Sequence, residues 1–284
     1  WKSAYGNQYL GRLPIGDLNE LQSIKMDELN KFYRTWYAPN NAVMVISGKF
    51  DKTEVLNKID QFFSTIPART VPSQVHVPVL DSSKINPRQF TVKKGSDLAK
   101  FHIYMNGKNV ALQPALALAP ALFTMQPSGR LYTNMVQTGI STGVQSTSWL
   151  DQDLNVVFMG AIYAPNHDAQ KVEEEIKNGV ENSLIFTDTE LQRIKNISQN
   201  SAENTEKDAV ALGSNLSDYV VSSHGQWDQY FKDLKAVQDL NIADANQILQ
   251  QFLVPSHRIS GDILPTPEDQ KKAQTQKTQD QPKT

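Results

Sequence analysis

The sequence predicts an α+β protein of two successive domains, each with a mostly antiparallel sheet packed against helices. The length is the first observation behind this prediction, because 284 residues exceed a typical single domain. The second is that segments with strand-like alternation are interleaved with segments of helical periodicity. The third is a stretch with four prolines from Pro67 to Pro87, which is typical of an extended connection. We therefore place the domain boundary in this stretch.

The first domain is predicted to occupy residues 1–68 and to end in a helix, a strand and a second helix. Apolar residues recur at helical spacing over Met26–Tyr37, and a proline then ends the helix. Ala42–Ser47 is a short apolar run closed by a glycine, which predicts a buried strand. Asp51 is placed to cap the following helix. Residues 69–88 form the predicted linker.

The second domain is predicted at residues 89–264, where strands and helices alternate. Its predicted strands are Gln89–Val92, Lys100–Asn106, Gly143–Trp149 and Leu154–Ala164, the last two forming a hairpin. Its predicted helices are Leu112–Met125, Arg130–Val136, one capped by Asp168, and one opened by the capping box Thr187–Glu190. Residues 265–284 contain no aromatic or large aliphatic side chain, so we expect a disordered interdomain hinge or tail.

An internal repeat supports the two-domain interpretation. A shift of 216 residues places 28–39 on 244–255, so that an acidic residue near the helix start, the apolar positions and the final proline coincide. Strand-like residues follow in both copies, at Val43–Ile46 and Ile259–Leu264. Two ordinary helices that end at proline remain the alternative. If the repeat is real, few residues precede its first copy, which predicts a truncated first domain.

The composition excludes several function classes. A formal net charge of −2 gives no basic excess for nucleic acid or an anionic membrane. The absence of cysteine removes disulfides, thiol catalysis and cysteine-containing zinc sites. The most apolar stretch, Val110–Phe123, is shorter than the roughly 20 residues of a membrane span. The chain starts at Trp1 without a charged-then-apolar leader, so we expect a signal peptide to be absent or already removed.

The histidine pattern encodes no local zinc site. Neither H-E-x-x-H nor H-x-x-E-H occurs, and no two histidines have ligand spacing among His76, His102, His167, His224 and His257. We predict a surface or structural role for each. His102 shares a predicted strand face with Lys100 and Tyr104, opposite the apolar face, which predicts that it is exposed. No catalytic or metal-binding residue is assigned.

Ser141 lies in a formal G-x-S-x-G match, Gly139–Gly143. A nucleophilic serine in this motif needs a strand before it and a helix after it, whereas the predicted order here is the reverse. We interpret the segment as a helix-to-strand turn in which glycine tolerates left-handed dihedrals. An unrelated serine hydrolase using Ser141 remains a third hypothesis.

Other short motifs have ordinary structural explanations. Gly48-Lys49 and Gly107-Lys108 lack the glycines of a phosphate loop and are predicted turns. Consecutive positions in Glu173–Glu175 diverge around a helix, so this run predicts a solvated face rather than a cation site. The glycosylation sequons at Asn196 and Asn215 lie in predicted helices and are attributed to chance.

A family resemblance covers about residues 5–264. Its most detailed part is Phe32-Tyr33-x-x-Trp36-Tyr37-Ala38-Pro39-Asn40-Asn41-Ala42-Val43, continued through Gly48 to Phe63-x-x-Ile66-Pro67. This stretch resembles the end of the first domain in the pitrilysin/insulinase family of zinc metallopeptidases. Further similar segments are Tyr9–Gly16, Ser128–Tyr132, Gly139-Ile140 and Thr189–Leu191.

The resemblance implies repeated metallopeptidase-type domains that enclose a chamber for proteolysis of peptides. In that family an H-x-x-E-H helix and a later glutamate hold zinc, and the implied positions lie upstream of Trp1. An Arg and a Tyr of a later domain hold the substrate, and the aligned positions here are Val136 and Thr142, which offer neither a cationic donor nor a phenol. The chain is thus expected to carry no cofactor, although zinc is expected in the full-length parent. Its substrate-binding residues stay unknown.

Two hypotheses follow from the resemblance. In the first, the chain is a non-catalytic portion of a zinc metalloendopeptidase, inactive alone, whose partners are the parent's remaining domains and a peptide substrate. In the alternative, it belongs to a metal-free family member that acts as a scaffold or assembly subunit. Family members of this two-halved kind often carry export signals, and a cysteine-free chain is compatible with a periplasm. A periplasmic or otherwise extracytoplasmic location is therefore expected.

Overall fold

The structure is a computed structural model that describes residues 11, 15–73, 89–107, 109–150, 154–182, 185–223 and 225–269. The chain divides into two compact units. The described residues of the first unit are 11, 15–73, 198–223 and 225–235, and those of the second unit lie within 89–197 and 236–269. Five features of the sequence analysis lie wholly or mostly outside the described residues, namely Tyr9–Gly16, His76, His224, the linker and the tail.

Helices and strands alternate along the chain as expected. In chain order the helices are α1 (Leu18–Ser23), α2 (Met26–Trp36), α3 (Lys52–Phe63), α4 (Gln113–Thr124), α5 (Ala169–Lys177), α6 (Asp188–Lys207), α7 (Ala209–Ser222), α8 (Gln229–Asp239) and α9 (Ile242–Phe252). The strands are β1 (Gln89–Lys93), β2 (Leu98–Gly107), β3 (Gly143–Leu150), β4 (Leu154–Tyr163) and β5 (Arg258–Leu264). Short 3₁₀ turns lie at Pro39–Asn41, Val110–Leu112 and Pro255–His257, and π-helical segments at Tyr132–Val136 and Asn178–Asn182.

Capping side chains fix the helix starts that the sequence predicts. The Asp51 carboxylate accepts from the backbone N–H of Glu54 at 2.8 Å, and Asp168 caps α5 in the same way. At the start of α6, the Glu190 N–H donates to the Thr187 hydroxyl and the Glu190 carboxylate accepts from the Thr187 N–H. This is the predicted capping box, which satisfies donors that the first helical turn leaves free.

The five strands of the second unit form one sheet in the order β1-β5-β2-β4-β3. The β1–β5 pair is parallel, and the other neighbouring pairs are antiparallel. The predicted β3–β4 hairpin is confirmed. A continuous core packs the sheet against α4, α5, α6 and α9, with fully buried side chains such as Leu116, Phe123, Ile176 and Phe252. The predicted α+β class is therefore confirmed.

The internal repeat is reproduced in the structure. Helix α2 and helix α9 are related by the same 216-residue shift at both ends, and so are the 3₁₀ turns Pro39–Asn41 and Pro255–His257. The second copy then continues as β5, whereas Ala42–Ser47 in the first copy forms no strand, and its Val43 and Met44 are exposed. The prediction of a buried strand there is wrong, because a strand requires paired neighbours and no described residue pairs with this segment.

The exposure predicted for His102 is also wrong. His102 and Tyr104 are fully buried, and Ile103 and Met105 on the opposite face of β2 are buried as well. Both faces of this strand are covered, because α5 and the following π-helical segment place polar partners over the His102 face. Among the described residues, every helix is too short or too polar to cross a lipid bilayer.

Candidate functional site

The first unit carries a large apolar concavity, which we call the open apolar face. It encloses about 1110 Å³ and is lined by residues between Tyr33 and Arg69, drawn from α2, α3 and the segment that joins them. Its apolar lining includes Trp36, Tyr37, Val43, Met44, Phe50 and Phe63. Lys52 and Arg69 are the charged side chains among its described lining residues. A surface of this size and polarity is typical of an interaction site.

The sequence shapes this face through the spacing of its aromatic side chains. Tyr33 and Trp36 lie three residues apart along α2 and therefore share one side of the helix, and both line the face. Tyr33 stacks on Tyr37 with ring centroids 5.0 Å apart. The aromatic side chains Tyr33, Trp36 and Tyr37 thus line the face at the end of α2.

Arg69 and Asn40 hold the two ends of the open apolar face together. The Arg69 guanidinium donates to the carbonyls of Arg34 at 3.1 Å and Tyr37 at 3.3 Å. The Asn40 side chain accepts from the Arg69 N–H and donates to the Arg69 carbonyl. These bonds fix the C-terminal end of α2 to the chain beyond α3.

Comparison with the second repeat shows that this surface is unusual. Tyr37 is 63% exposed whereas the equivalent Leu253 is fully buried, and Val43 is 59% exposed whereas the equivalent Ile259 is fully buried. In the second copy Leu253 belongs to the continuous core, and Ile259 lies within the sheet opposite Ile103 of β2. The first copy thus presents the same pattern of apolar positions with Tyr37 and Val43 exposed.

The second unit contains a buried polar network centred on His102. The His102 Nε2 lies 3.0 Å from a Glu173 carboxylate oxygen, and its Nδ1 lies 3.2 Å from the Tyr104 hydroxyl. Tyr104 donates to the Glu181 carboxylate at 2.9 Å, and the Arg258 guanidinium pairs with the same carboxylate. The network ties β2 and β5 to the helical segment above them.

Electrostatics set the protonation states in this network. Burial opposes the charge of Glu173, but hydrogen bonds and charge from His102 and Lys177 outweigh it and lower the pKa of Glu173 to about 2. Burial and the Glu181 carboxylate raise the pKa of Tyr104 well above its usual range, so its hydroxyl keeps its proton. Burial also lowers the pKa of His102, although Glu173 opposes that effect.

These states determine what His102 can do. An ionised Glu173 only accepts, so the His102 Nε2 carries a proton. The Tyr104 hydroxyl donates its single hydrogen to Glu181 and has none left for the Nδ1 of His102. The contact between Nδ1 and the hydroxyl is therefore a hydrogen bond only if the His102 ring is charged or the hydroxyl rotates toward it. The ring is fully buried. His102 therefore holds strand β2 to helix α5, and its buried ring is not placed to act on a substrate as a general base.

The other described histidines are engaged as well. The His257 Nδ1 lies 2.9 Å from the Phe252 carbonyl and its Nε2 lies 3.2 Å from the Asn106 amide. The His167 Nδ1 accepts from the Ala164 N–H. Within the described ranges, no three His, Asp or Glu side chains form a group that could hold a metal ion. These donor sets do not fit a zinc centre, which needs three or four ligands converging on one point.

The structure also locates the remaining candidate residues. Ser141 is 3% exposed and follows a helical segment, so it does not occupy a nucleophile elbow. Both sequons lie within helices, as predicted. Glu173 is not part of a solvated face, because it reaches inward to His102. The Thr142 hydroxyl donates to the Ile162 carbonyl.

Sequence reasoning missed the polar network, although a signal was present. Glu173, Lys177 and Glu181 recur every four residues and therefore form a polar stripe along α5 and its extension. This stripe runs beside the buried residues Val172 and Ile176. A polar stripe bordering an apolar one predicts partners in the neighbouring strand, here His102 and Tyr104.

Comparison with known proteins finds a matching family model and proteins of similar sequence and fold. A family model described as the peptidase M16 inactive domain matches residues 23–198. The "Probable zinc protease PqqL" of Escherichia coli (strain K12) is 36% identical over 59 residues, which are 21% of this chain and 6% of that protein.

Two solved structures are similar in fold. The crystal structure of a peptidase M16 inactive domain from Pseudomonas fluorescens has a TM-score of 0.72 at 15% identity, over 93% of this chain and 64% of that one. The periplasmic protease PqqL from Escherichia coli has a TM-score of 0.72 at 17% identity, over all of this chain and 34% of that one. The chain therefore spans about a third of the length of the latter protease.

Proposed function

This chain belongs to the peptidase M16 inactive-domain family, and on that premise we propose that it is a non-catalytic portion of a longer zinc-dependent peptidase. In this role it forms part of the wall of the chamber in which the parent protein cleaves peptides. A closed chamber excludes water and selects extended chains by shape. The partners are the remaining domains of the parent and, in the assembled protein, a peptide substrate.

The engagement of the described histidines carries the proposal. The imidazoles of His102, His167 and His257 each contact protein atoms at hydrogen-bond distance, and His102 is completely buried. A catalytic zinc site keeps three protein ligands and one open position. The described imidazoles are used instead to hold strands, turns and helices together.

The zinc of the parent would therefore be bound by residues other than those described here. The substrate-holding Arg and Tyr of the family would also come from elsewhere, since Val136 and Thr142 stand at the aligned positions. We further propose an extracytoplasmic location, which the periplasmic protease of similar fold supports.

A peptidase assay tests this function. The purified chain, incubated with zinc and an unstructured fluorogenic peptide, should show no cleavage that a chelator abolishes. The full-length protein should cleave the same peptide and lose that activity with the chelator. Chelator-sensitive cleavage by the chain alone would overturn the proposal. A full-length protein that neither binds zinc nor cleaves would favour the scaffold hypothesis.

A further inference from the structure

Two Asn-Gly dipeptides occur in the sequence, Asn106-Gly107 and Asn178-Gly179. Such a pair is chemically labile, because a glycine nitrogen is unhindered by a side chain and can attack the carboxamide of the preceding asparagine. Asn106-Gly107 ends strand β2, whereas Asn178-Gly179 begins the π-helical segment Asn178–Asn182. The two pairs differ in whether the attacking nitrogen lies beside the carboxamide.

At the end of β2 the carboxamide of Asn106 is held against the backbone nitrogen that follows it. The Gly107 N–H donates to the Asn106 Oδ1 at 2.8 Å. Because Oδ1 is bonded to Cγ, the nitrogen lies next to the carbon that it would attack. The same bond fixes the orientation of the carboxamide, since an exchanged Nδ2 would place two donors against each other.

The Nδ2 of Asn106 points to an imidazole whose proton position is defined. It lies 3.2 Å from the Nε2 of His257, and the His257 Nδ1 lies 2.9 Å from the Phe252 carbonyl. A carbonyl only accepts, so Nδ1 carries the proton and the Nε2 of the neutral ring accepts from Nδ2. Asn106 and His257 are both partly exposed, so water can reach the site.

We propose that Asn106 is a deamidation site at which the Gly107 nitrogen is the nucleophile and His257 is the proton donor. The nitrogen forms a bond to Cγ and loses its proton to water. The Cγ–Nδ2 bond then breaks, and its electron pair leaves with Nδ2, which takes a proton from protonated His257 and departs as ammonia. Water opens the resulting succinimide ring at either carbonyl and leaves aspartate or isoaspartate at position 106. His257 regains its proton from solvent.

The position of His257 favours the reaction intermediate over the starting amide. An amide nitrogen accepts no hydrogen bond, so a protonated Nε2 has no acceptor at Nδ2 before the attack. After the attack Nδ2 is an amine nitrogen with a free electron pair, and the Nε2–H donates to it. An interaction that forms only as the reaction proceeds accelerates the reaction. The bond from Nδ1 to the Phe252 carbonyl keeps the ring in place for this transfer.

The reaction changes the end of the sheet. A carboxylate at position 106 can only accept, so it forms a hydrogen bond with the Nε2 of His257 when the ring is protonated. Isoaspartate adds a methylene to the backbone at the position that pairs with Asn155 of β4. Either product therefore replaces the present contact between β2 and the turn that precedes β5.

Asn178-Gly179 provides an internal control. The Asn178 Oδ1 accepts from the Asn182 Nδ2 at 2.9 Å, which directs this carboxamide along the helix instead of toward the Gly179 nitrogen. Gly179 is also buried against Leu131. Cyclisation there requires the helical segment to open locally. We therefore expect Asn178 to react slowly in the folded protein.

Peptide mapping by mass spectrometry tests the proposal in the full-length protein. The protein is incubated at neutral pH, both folded and unfolded in guanidinium chloride, and deamidation at positions 106 and 178 is followed over time. Asn106 should react faster in the folded protein than in the unfolded one, and Asn178 should react more slowly. Both aspartate and isoaspartate should form at position 106. Slower reaction of Asn106 in the folded protein, or a product without isoaspartate, would overturn the proposal.

Variants separate the role of His257 from that of the Asn-Gly pair. His257→Gln should slow deamidation of Asn106 in the folded protein about 100-fold, because the proton donor is lost. His167→Gln is the matched control and should leave the rate unchanged. An unchanged or faster rate in folded His257→Gln would contradict the proposal, and the wild-type comparison decides if this variant does not fold. None of these readouts involves zinc or peptide cleavage, so the inference does not depend on the proposed function.

Discussion

Alanine substitutions at equivalent positions of the two repeats should lower the free energy of unfolding by very different amounts. Ile259 is fully buried in the second repeat, and Val43 at the equivalent position of the first is 59% exposed. If the first repeat lacks its cover in this chain, Ile259→Ala should be strongly destabilising and Val43→Ala nearly neutral.

The exposed fractions set the magnitudes. Ile259→Ala removes three buried carbons at about 0.8 kcal/mol each and leaves a cavity, so we expect a loss of about 3 to 4 kcal/mol in the free energy of unfolding. Val43→Ala removes two carbons from a side chain with about two fifths of its surface covered, which gives a loss of about 0.6 kcal/mol. In the full-length protein the same Val43→Ala change should cost about 2 kcal/mol, because the side chain is then buried.

Urea unfolding followed by circular dichroism measures these differences in both proteins. Equal losses of unfolding free energy for Val43→Ala and Ile259→Ala in this chain would show that the first repeat is already covered, contrary to the prediction. A neutral effect of Val43→Ala in the full-length protein would show that the side chain stays exposed there, which also contradicts the prediction.

Three further predictions concern the second unit. Burial lowers the pKa of His102 below 6.5, so the contribution of His102 to stability is complete above that pH and is lost as the pH falls. Urea unfolding at pH values from about 7.5 to about 5 should therefore show that the free energy of unfolding depends less on pH in His102→Gln than in the wild type. The hydrogen bonds that Glu173 makes with His102 and Lys177 help to hold its pKa near 2, so Glu173→Gln should lower the free energy of unfolding at pH 7 by about 2 kcal/mol. The exposed neighbour Glu174→Gln should change the free energy of unfolding by less than about 0.5 kcal/mol, and equal costs would contradict the buried network. The Ser141 hydroxyl is buried without a hydrogen-bond partner among the described residues, so Ser141→Ala should raise the free energy of unfolding by about 1 kcal/mol in the same assay, and a marked loss would show that the hydroxyl is satisfied.

Local signals account for the part of the fold that could be predicted from sequence. The capping residue Asp51 and the capping box at Thr187 act within one helical turn, so their residue types determine the helix starts. The repeat was visible because α2 and α9 share apolar spacing and a terminal proline. These features depend on neighbours only a few residues away.

The two incorrect predictions concern residues whose structure depends on segments that are distant in the sequence. Ala42–Ser47 has strand-like residues, yet a strand exists only when another segment supplies its hydrogen bonds. His102 lies beside polar residues in an alternating pattern, which cannot reveal that Glu173 covers it from a helix 71 residues away. The absence of a local zinc motif could be determined from sequence because that motif is short and contiguous.

Zinc content after dialysis is the most direct measurement of whether this chain supplies architecture rather than catalysis. This chain and the full-length protein should be loaded with zinc, dialysed under identical conditions and analysed by atomic emission. We expect stoichiometric zinc in the full-length protein and only trace zinc in this chain. Stoichiometric zinc retained by this chain alone would contradict it.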